Sequence, residues 1–365
     1  MRTSRCSSLW PTSRSTSLRV ASLSSRHCYS SFSGHKRWIP STSAVAAAAS
    51  KAASLDDHLD NVPMPKYPVV LCHGLLGFDT LNLLPKGRLS LPYWRGIVHA
   101  LEARGVPVFT ARVPPTAHVE VRAARLKERV LQILRELPAT THEGTRKMDP
   151  SSIKRVEKGE PSTAGSLDPT PKDDQTNLSL GKVNLVGHSM GGLDARYMVS
   201  CLGGHEFVSS VTTIGTPHHG STCADWFLRY MLRPGMERAL NKLNIPTEAF
   251  HCLTPSYMRD HFNRNVLDHP AVKYYSFGAS RHRSQLPFVA RPFYDVLAAA
   301  EGENDGLVSC ESARWGTYLG TLRADHMEQI GWLTRLLPLP QLYDRPYDAL
   351  SFYLALAEFL AKQGH

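Results

Sequence analysis

The chain has 365 residues, 42% of them apolar, enough for one large mixed α/β domain or two of ordinary size. Its net charge of +10 is concentrated at the start: residues 1–55 hold eight Arg and Lys and no Asp or Glu. The remainder is therefore nearly neutral, which argues against a nucleic-acid surface. No run of about 18 apolar residues occurs, so no transmembrane helix is expected.

Residues 1–55 are Arg-rich, Ser-rich and free of acids, the composition of a mitochondrial transit peptide. They lack the continuous apolar stretch of a secretory signal; a disordered basic tail would share the composition. The expected compartment is the mitochondrion. Cys72, Cys201, Cys223, Cys252 and Cys310 show no paired or zinc-like spacing, as suits reduced thiols inside a cell.

From Tyr67 onward, strand and helix patterns alternate. Residues 68–72 (PVVLC) and 106–110 (VPVFT) predict strands, and 92–105 predicts a helix with an apolar stripe at Trp94, Ile97, Val98 and Leu101. A second helix is predicted over 119–137. Further strands are predicted at 183–186 (VNLV), 210–214 (SVTTI), 272–278 (VKYYSFG) and 317–322 (TYLGTL), and 347–363 reads as an amphipathic closing helix. Such alternation indicates a mostly parallel sheet with helices on both faces. Two insertions interrupt it. Residues 140–181 are polar and rich in Pro, Gly and Ser, and read as a disordered loop. Residues 221–254 mix Trp226, Phe227, Tyr230, Met231 and Leu232 with charges, and read as a cap or lid that opens at a lipid surface; an ordinary packed helical pair has the same pattern.

The most informative stretch is KVNLVGHSMGGLD, 182–194. A short buried strand runs into a helix through Gly187-His188-Ser189-Met190-Gly191, the G-x-S-x-G spacing of a nucleophile elbow. Ser189 would stand on a strained turn, so its neighbours two positions away must be small. A helix-capping serine is the rival reading. The elbow needs a base, an orienting acid and oxyanion donors, and in hydrolases built this way the acid and the base follow the serine in that order. Asp305, in the turn Asn304-Asp305-Gly306, is the candidate acid, although that sequence is turn chemistry in any case. Asp295 falls within a predicted helix, and Asp344 and Asp348 come late. His326, in a loop after the last predicted strand, is the candidate base. His365 is terminal, His261 and His269 lie in a polar helix-to-loop region, and His218 and His219 read as structural. The loop after the first strand, His73-Gly74-Leu75-Leu76-Gly77, places the Leu75 amide as an oxyanion donor beside that of Met190. His73 lacks nearby partners for a metal.

HGLLGFD (73–79), YWRGIVHALEARGVPVF (93–109), VNLVGHSMGGLDARY (183–197), VTTIGTPHHGSTCADW (211–226) and NDGLVS (304–309) together resemble the Pseudomonas/Burkholderia-type triacylglycerol lipases. With the N-terminal segment, the chain is similar to the fungal mitochondrial triacylglycerol lipases. The resemblance implies an α/β-hydrolase fold, Ser189 as nucleophile, Asp305 as acid, His326 as base, and Leu75 and Met190 as oxyanion donors. It implies an acylglycerol substrate met at a membrane or lipid surface. The bacterial enzymes bind structural calcium through an Asp two positions after the histidine; Glu328 stands here, so no cofactor is expected and calcium binding is doubtful. Cys310 lies near the family's disulfide cysteine without a matching partner. A phospholipase or acyltransferase with the same triad is the alternative, and a non-catalytic lipid-binding protein of this fold is the remaining one.

Overall fold

The computed structural model describes residues 63–77, 80–82, 90–137, 181–230, 235, 238, 247–332 and 347–365. The proposed transit peptide, the 140–181 loop except for Gly181, and most of the middle of the 221–254 segment lie outside these residues.

Six parallel strands form one sheet: β1 (Val69–Cys72), then β4 (Val108–Ala111), β5 (Val183–His188), β6 (Val208–Ile214), β7 (Lys273–Ala279) and β8 (Thr317–Leu322). Their order across the sheet is β4-β1-β5-β6-β7-β8. A small antiparallel pair, β2 (Thr80–Asn82) and β3 (Ser90–Pro92), leaves the loop after β1. Sequence periodicity does not reveal this pair, because three-residue strands are too short to alternate.

Period-two alternation sorts β1 onto two cores. Val69 and Leu71 face one, with α1 (Ile97–Ala103) and the closing helix α7 (Ala349–Lys362); Val70 and Cys72 face the other, with α2 (Val119–Glu136) and α3 (Met190–Cys201). On α2 the buried residues Val119, Ala123, Leu126, Val130 and Ile133 recur at steps of three and four, the stripe of a helix lying on a sheet. Every residue of β5 and β6 is buried, as in strands covered on both faces, and their Val, Leu, Ile and Thr side chains suit that burial.

The predicted strand over 317–322 coincides with β8; β5 and β6 extend their predicted runs at one end, β1 starts one residue later than predicted, and β4 and β7 are displaced towards the C-terminus by one or two residues. Within 221–254, the described parts are helices α4 (Thr222–Tyr230) and α5 (Glu248–Cys252). They meet through Phe227 and Phe250, stacked at 4.4 Å, and Trp226 packs edge-on against Phe293 of α6 (Arg291–Ala300).

Candidate active site

β5 ends and α3 begins at Ser189, which adopts φ 54°, ψ −132°. Positive φ is costly for a residue with a Cβ, so the surroundings must enforce it. They do: the Ser189 amide donates to the Ile214 carbonyl at 3.0 Å, and its carbonyl accepts the Thr216 hydroxyl at 2.7 Å. The Ser189 side chain makes no capping bond, which removes the helix-cap reading. The flanking glycines meet a steric demand. A Cβ on Gly187 would lie 2.6 Å from the Gly192 backbone, and one on Gly191 would overlap the Cys72 carbonyl oxygen. The strand end, elbow and first helical turn are thus packed backbone to backbone.

Asp305 and His326 are brought together. His326 Nδ1 donates to Asp305 Oδ2 at 2.8 Å, both side chains being buried. The Asp305 carboxylate is fixed at both oxygens: Oδ1 accepts the Leu307 and Val308 amides at 2.9 and 2.8 Å, and Oδ2 also accepts Gln329 Nε2 at 2.7 Å. The turn that aims it inward depends on Gly306 at φ 99°, with Asn304 Oδ1 accepting the Gly306 amide. The His326 amide donates to the Asp305 carbonyl at 3.0 Å, tying the two loops at the backbone as well. His326 Nε2 and the Ser189 hydroxyl have no hydrogen-bond partner among the described residues, and the His326 ring lies 4.6 Å from that of His188, next to Ser189.

The β1 loop reaches the same place, since a Cβ on Gly74 would come within 2.7 Å of Ser189 Cβ. Leu76 in this loop also has positive φ, 54°, and is held by its amide bond to the Pro115 carbonyl. Among the described residues the Leu75 amide makes no backbone hydrogen bond, and Met190 sits at the first helical position, where an amide has no partner inside the helix. Neither amide is therefore spent on a backbone hydrogen bond among the described residues.

Several of the rival acids and bases are engaged elsewhere. Asp295 lies on α6, paired with Arg283; Asp348 caps α7; Asp344 lies outside the described residues. His218 is buried between Thr213 and Arg196, and His365 bonds Ser209 and Tyr275.

Sequence reasoning missed four residues that hold this site. Arg122 is wholly buried on α2. It pairs with Asp194 of α3 at 2.8 Å and donates to the carbonyls of His73, Gly74, Pro114 and Pro115, clamping the β1 loop to α3. Its signal is a charged residue inside an apolar stripe. Burial pushes the Asp194 carboxyl up to about 6, and the Arg122 guanidinium opposes that rise. Gln329 supports Asp305, and Tyr93 and His188 connect the loops.

Glu328 sits where the resembling lipases place a calcium carboxylate. Its Oε2 accepts Arg281 Nε and the Asp325 amide, both at 2.9 Å, with Arg281 and Glu328 buried. A carboxylate already neutralised by a guanidinium does not fit a divalent cation.

Three buried histidines give the fold a pH dependence. Burial, reinforced by Arg122, lowers His73 from 6.5 to about 4, and burial also holds His188 and His218 well below 6.5. The folded state binds these protons less readily than the unfolded chain. Their stabilising contribution is complete above pH 6.5 and is lost as pH falls towards 4, about 3 kcal/mol for His73 alone. Asp194 acts in the opposite sense, since its raised pKa lets the fold hold a proton more firmly; one carboxyl against three imidazoles leaves the net sign unchanged. Urea denaturation at pH 7.5 and pH 5 should show the higher midpoint at pH 7.5.

Triacylglycerol lipase 2 of Saccharomyces cerevisiae is 30% identical over 347 residues, covering 84% of this chain and 94% of that protein. The chain belongs to the triacylglycerol lipase family. It is an ester hydrolase. The triacylglycerol lipase of Burkholderia plantarii is 30% identical over 182 residues, covering 50% of this chain and 37% of that lipase. Residues 173–249 match the PGAP1-like alpha/beta domain family. Among solved structures, a metagenomic carboxyl esterase aligns with a TM-score of 0.56 at 20% identity, covering 83% of this chain and 78% of that one. Lipase 1 of Pelosinus fermentans aligns with a TM-score of 0.53 at 20% identity, covering 82% and 99%. These two share the fold, an α/β-hydrolase sheet with helices on both faces. Among the described residues, no helix of this lipase-family chain is long and apolar enough to cross a membrane.

Proposed function

We propose that the chain cleaves long-chain acylglycerol esters through Ser189, His326 and Asp305. The observation that carries this reading is the His326 Nδ1–Asp305 Oδ2 bond of 2.8 Å, which commits one ring nitrogen of a buried histidine to a buried carboxylate while its ring lies 4.6 Å from that of His188, the residue before the elbow serine. With Nδ1–H committed to Asp305, Nε2 carries the lone pair. It removes the Ser189 proton as Oγ adds to the ester carbonyl. The Leu75 and Met190 amides receive the oxyanion. Collapse expels the alcohol, which takes the proton from His326 Nε2, and leaves Ser189 acylated. Water then attacks the acyl-enzyme, giving up a proton to His326, and the fatty acid departs as Ser189 regains its hydrogen. Asp305 stabilises the imidazolium in both halves without itself taking a proton.

The aromatic face of α4 and α5 supports a cap over this site for residues 221–254. The acid-free start supports mitochondrial import, and a reporter carrying residues 1–55 should enter mitochondria; a cytosolic reporter would remove that assignment. The substrate reading is tested on purified protein with triolein emulsion, phosphatidylcholine vesicles and p-nitrophenyl butyrate, each with and without an acceptor alcohol. Fastest release of fatty acid from triolein is expected. Preference for phosphatidylcholine, or acyl transfer exceeding hydrolysis, would replace it with the phospholipase or acyltransferase alternative.

A further inference from the structure

Tyr93 lies just before α1, remote in sequence from the triad, yet its hydroxyl is buried between two of the segments that build it. The Gly74 amide donates to Tyr93 Oη at 3.0 Å, and Oη lies 2.8 Å from His188 Nδ1. On the far side of the same ring, His188 Nε2 lies 3.0 Å from the His326 carbonyl oxygen. The direction of each bond follows from chemistry. A carbonyl only accepts, so His188 carries its proton on Nε2. Nδ1 of a neutral ring is then an acceptor, and the Tyr93 hydroxyl donates to it while accepting from Gly74. One polarised chain therefore runs Gly74 N–H, Tyr93 O–H, His188, His326 C=O. Gly74 precedes Leu75, and His188 precedes Ser189.

We propose that Tyr93 is a positioning residue for ester hydrolysis, its hydroxyl fixing the His188 tautomer and thereby the spacing of the Leu75 amide, Ser189 and His326. The inference rests on the triad reading above. Two further observations accompany the geometry. Tyr93 packs edge-on against Trp94 at 5.2 Å, and its carbonyl accepts Trp332 Nε1 at 2.9 Å, so the ring is anchored independently of its hydroxyl. Burial and the nearby His326 hold His188 neutral. A neutral neighbour matters because His326 becomes a cation in each proton transfer, and a second cation with ring centres 4.6 Å away would oppose it.

The first test reads the resting protein. Two-dimensional ¹⁵N–¹H spectra of ¹⁵N-histidine protein, with His188 assigned by its loss in His188→Asn, should show a neutral Nε2–H ring between about pH 5 and 8. An Nδ1–H ring or an imidazolium in that range overturns the proposal, whatever Ser189 does. The second test is kinetic. Tyr93→Phe keeps the ring and removes only the hydroxyl. Its kcat should fall about 10- to 100-fold with KM within about twofold. The acid limb of its pH–rate profile should also steepen, as the vacated His188 Nδ1 takes a proton. Tyr93→Phe combined with His188→Asn should be no slower than His188→Asn alone. Additive losses, a change confined to KM, or a lower Tm with unchanged kcat and pH profile would each overturn it.

Discussion

Asp305→Asn should leave the fold intact and lower kcat for ester cleavage by about 10⁴. The reason lies in the donors around the carboxylate. Oδ1 faces two backbone amides, and Oδ2 faces His326 Nδ1 and Gln329 Nε2. A carboxamide has one acceptor oxygen, and the two fixed amides claim it. Its NH₂ then points at His326 Nδ1, which must become an acceptor, so the proton moves to Nε2. A base protonated on Nε2 cannot take the Ser189 proton. KM should change little, since Asp305 is buried behind His326. Steady-state kinetics on p-nitrophenyl butyrate, with circular dichroism to verify the fold, measure this; a loss of less than tenfold would show that Asp305 does not set the tautomer.

Arg122→Leu should cost about 3–5 kcal/mol of stability, because it strands the Asp194 carboxylate in the interior. It also removes the fork that holds four carbonyls, leaving the β1 loop without its clamp. Arg122→Lys should rescue little, since an ammonium cannot reproduce a planar fork spanning a carboxylate and two loops. Arg125, three residues along the same helix, is the control. Its pair with Glu128 is exposed on both sides, and Arg125→Ala should change stability by no more than about 0.5 kcal/mol. Urea denaturation of the three variants separates the cases. Equal small losses at both arginines would refute the clamp.

Local rules made much of this molecule legible. The β-branched run of β6, the apolar start of β5 and the stripe on α2 follow from burial on two faces of a parallel sheet. The elbow was readable because its chemistry forces small residues at Gly187 and Gly191 beside a serine. Asp305 and His326 were readable through chain order and through their turns. What the sequence concealed is pairing at a distance. Arg122 meets Asp194 across 72 positions, and Tyr93 meets His188 across 95. Neither partner alters its local periodicity, so only the fold reveals that a charge in an apolar stripe has a buried counter-ion. Glu328 illustrates the converse. The departure from Asp at this position already spoke against calcium, and Arg281, two residues past β7, supplies the positive charge it meets.

The central claim is that Ser189 is the nucleophile, and covalent labelling tests it most directly. A fluorophosphonate incubated with the purified protein should form one adduct, located at Ser189 by peptide mass spectrometry, with ester hydrolysis lost in proportion to labelling. Ser189→Ala should retain the wild-type Tm, take up no label and lose about 10⁶ in kcat. A labelled residue other than Ser189, or undiminished hydrolysis by Ser189→Ala, would contradict the account.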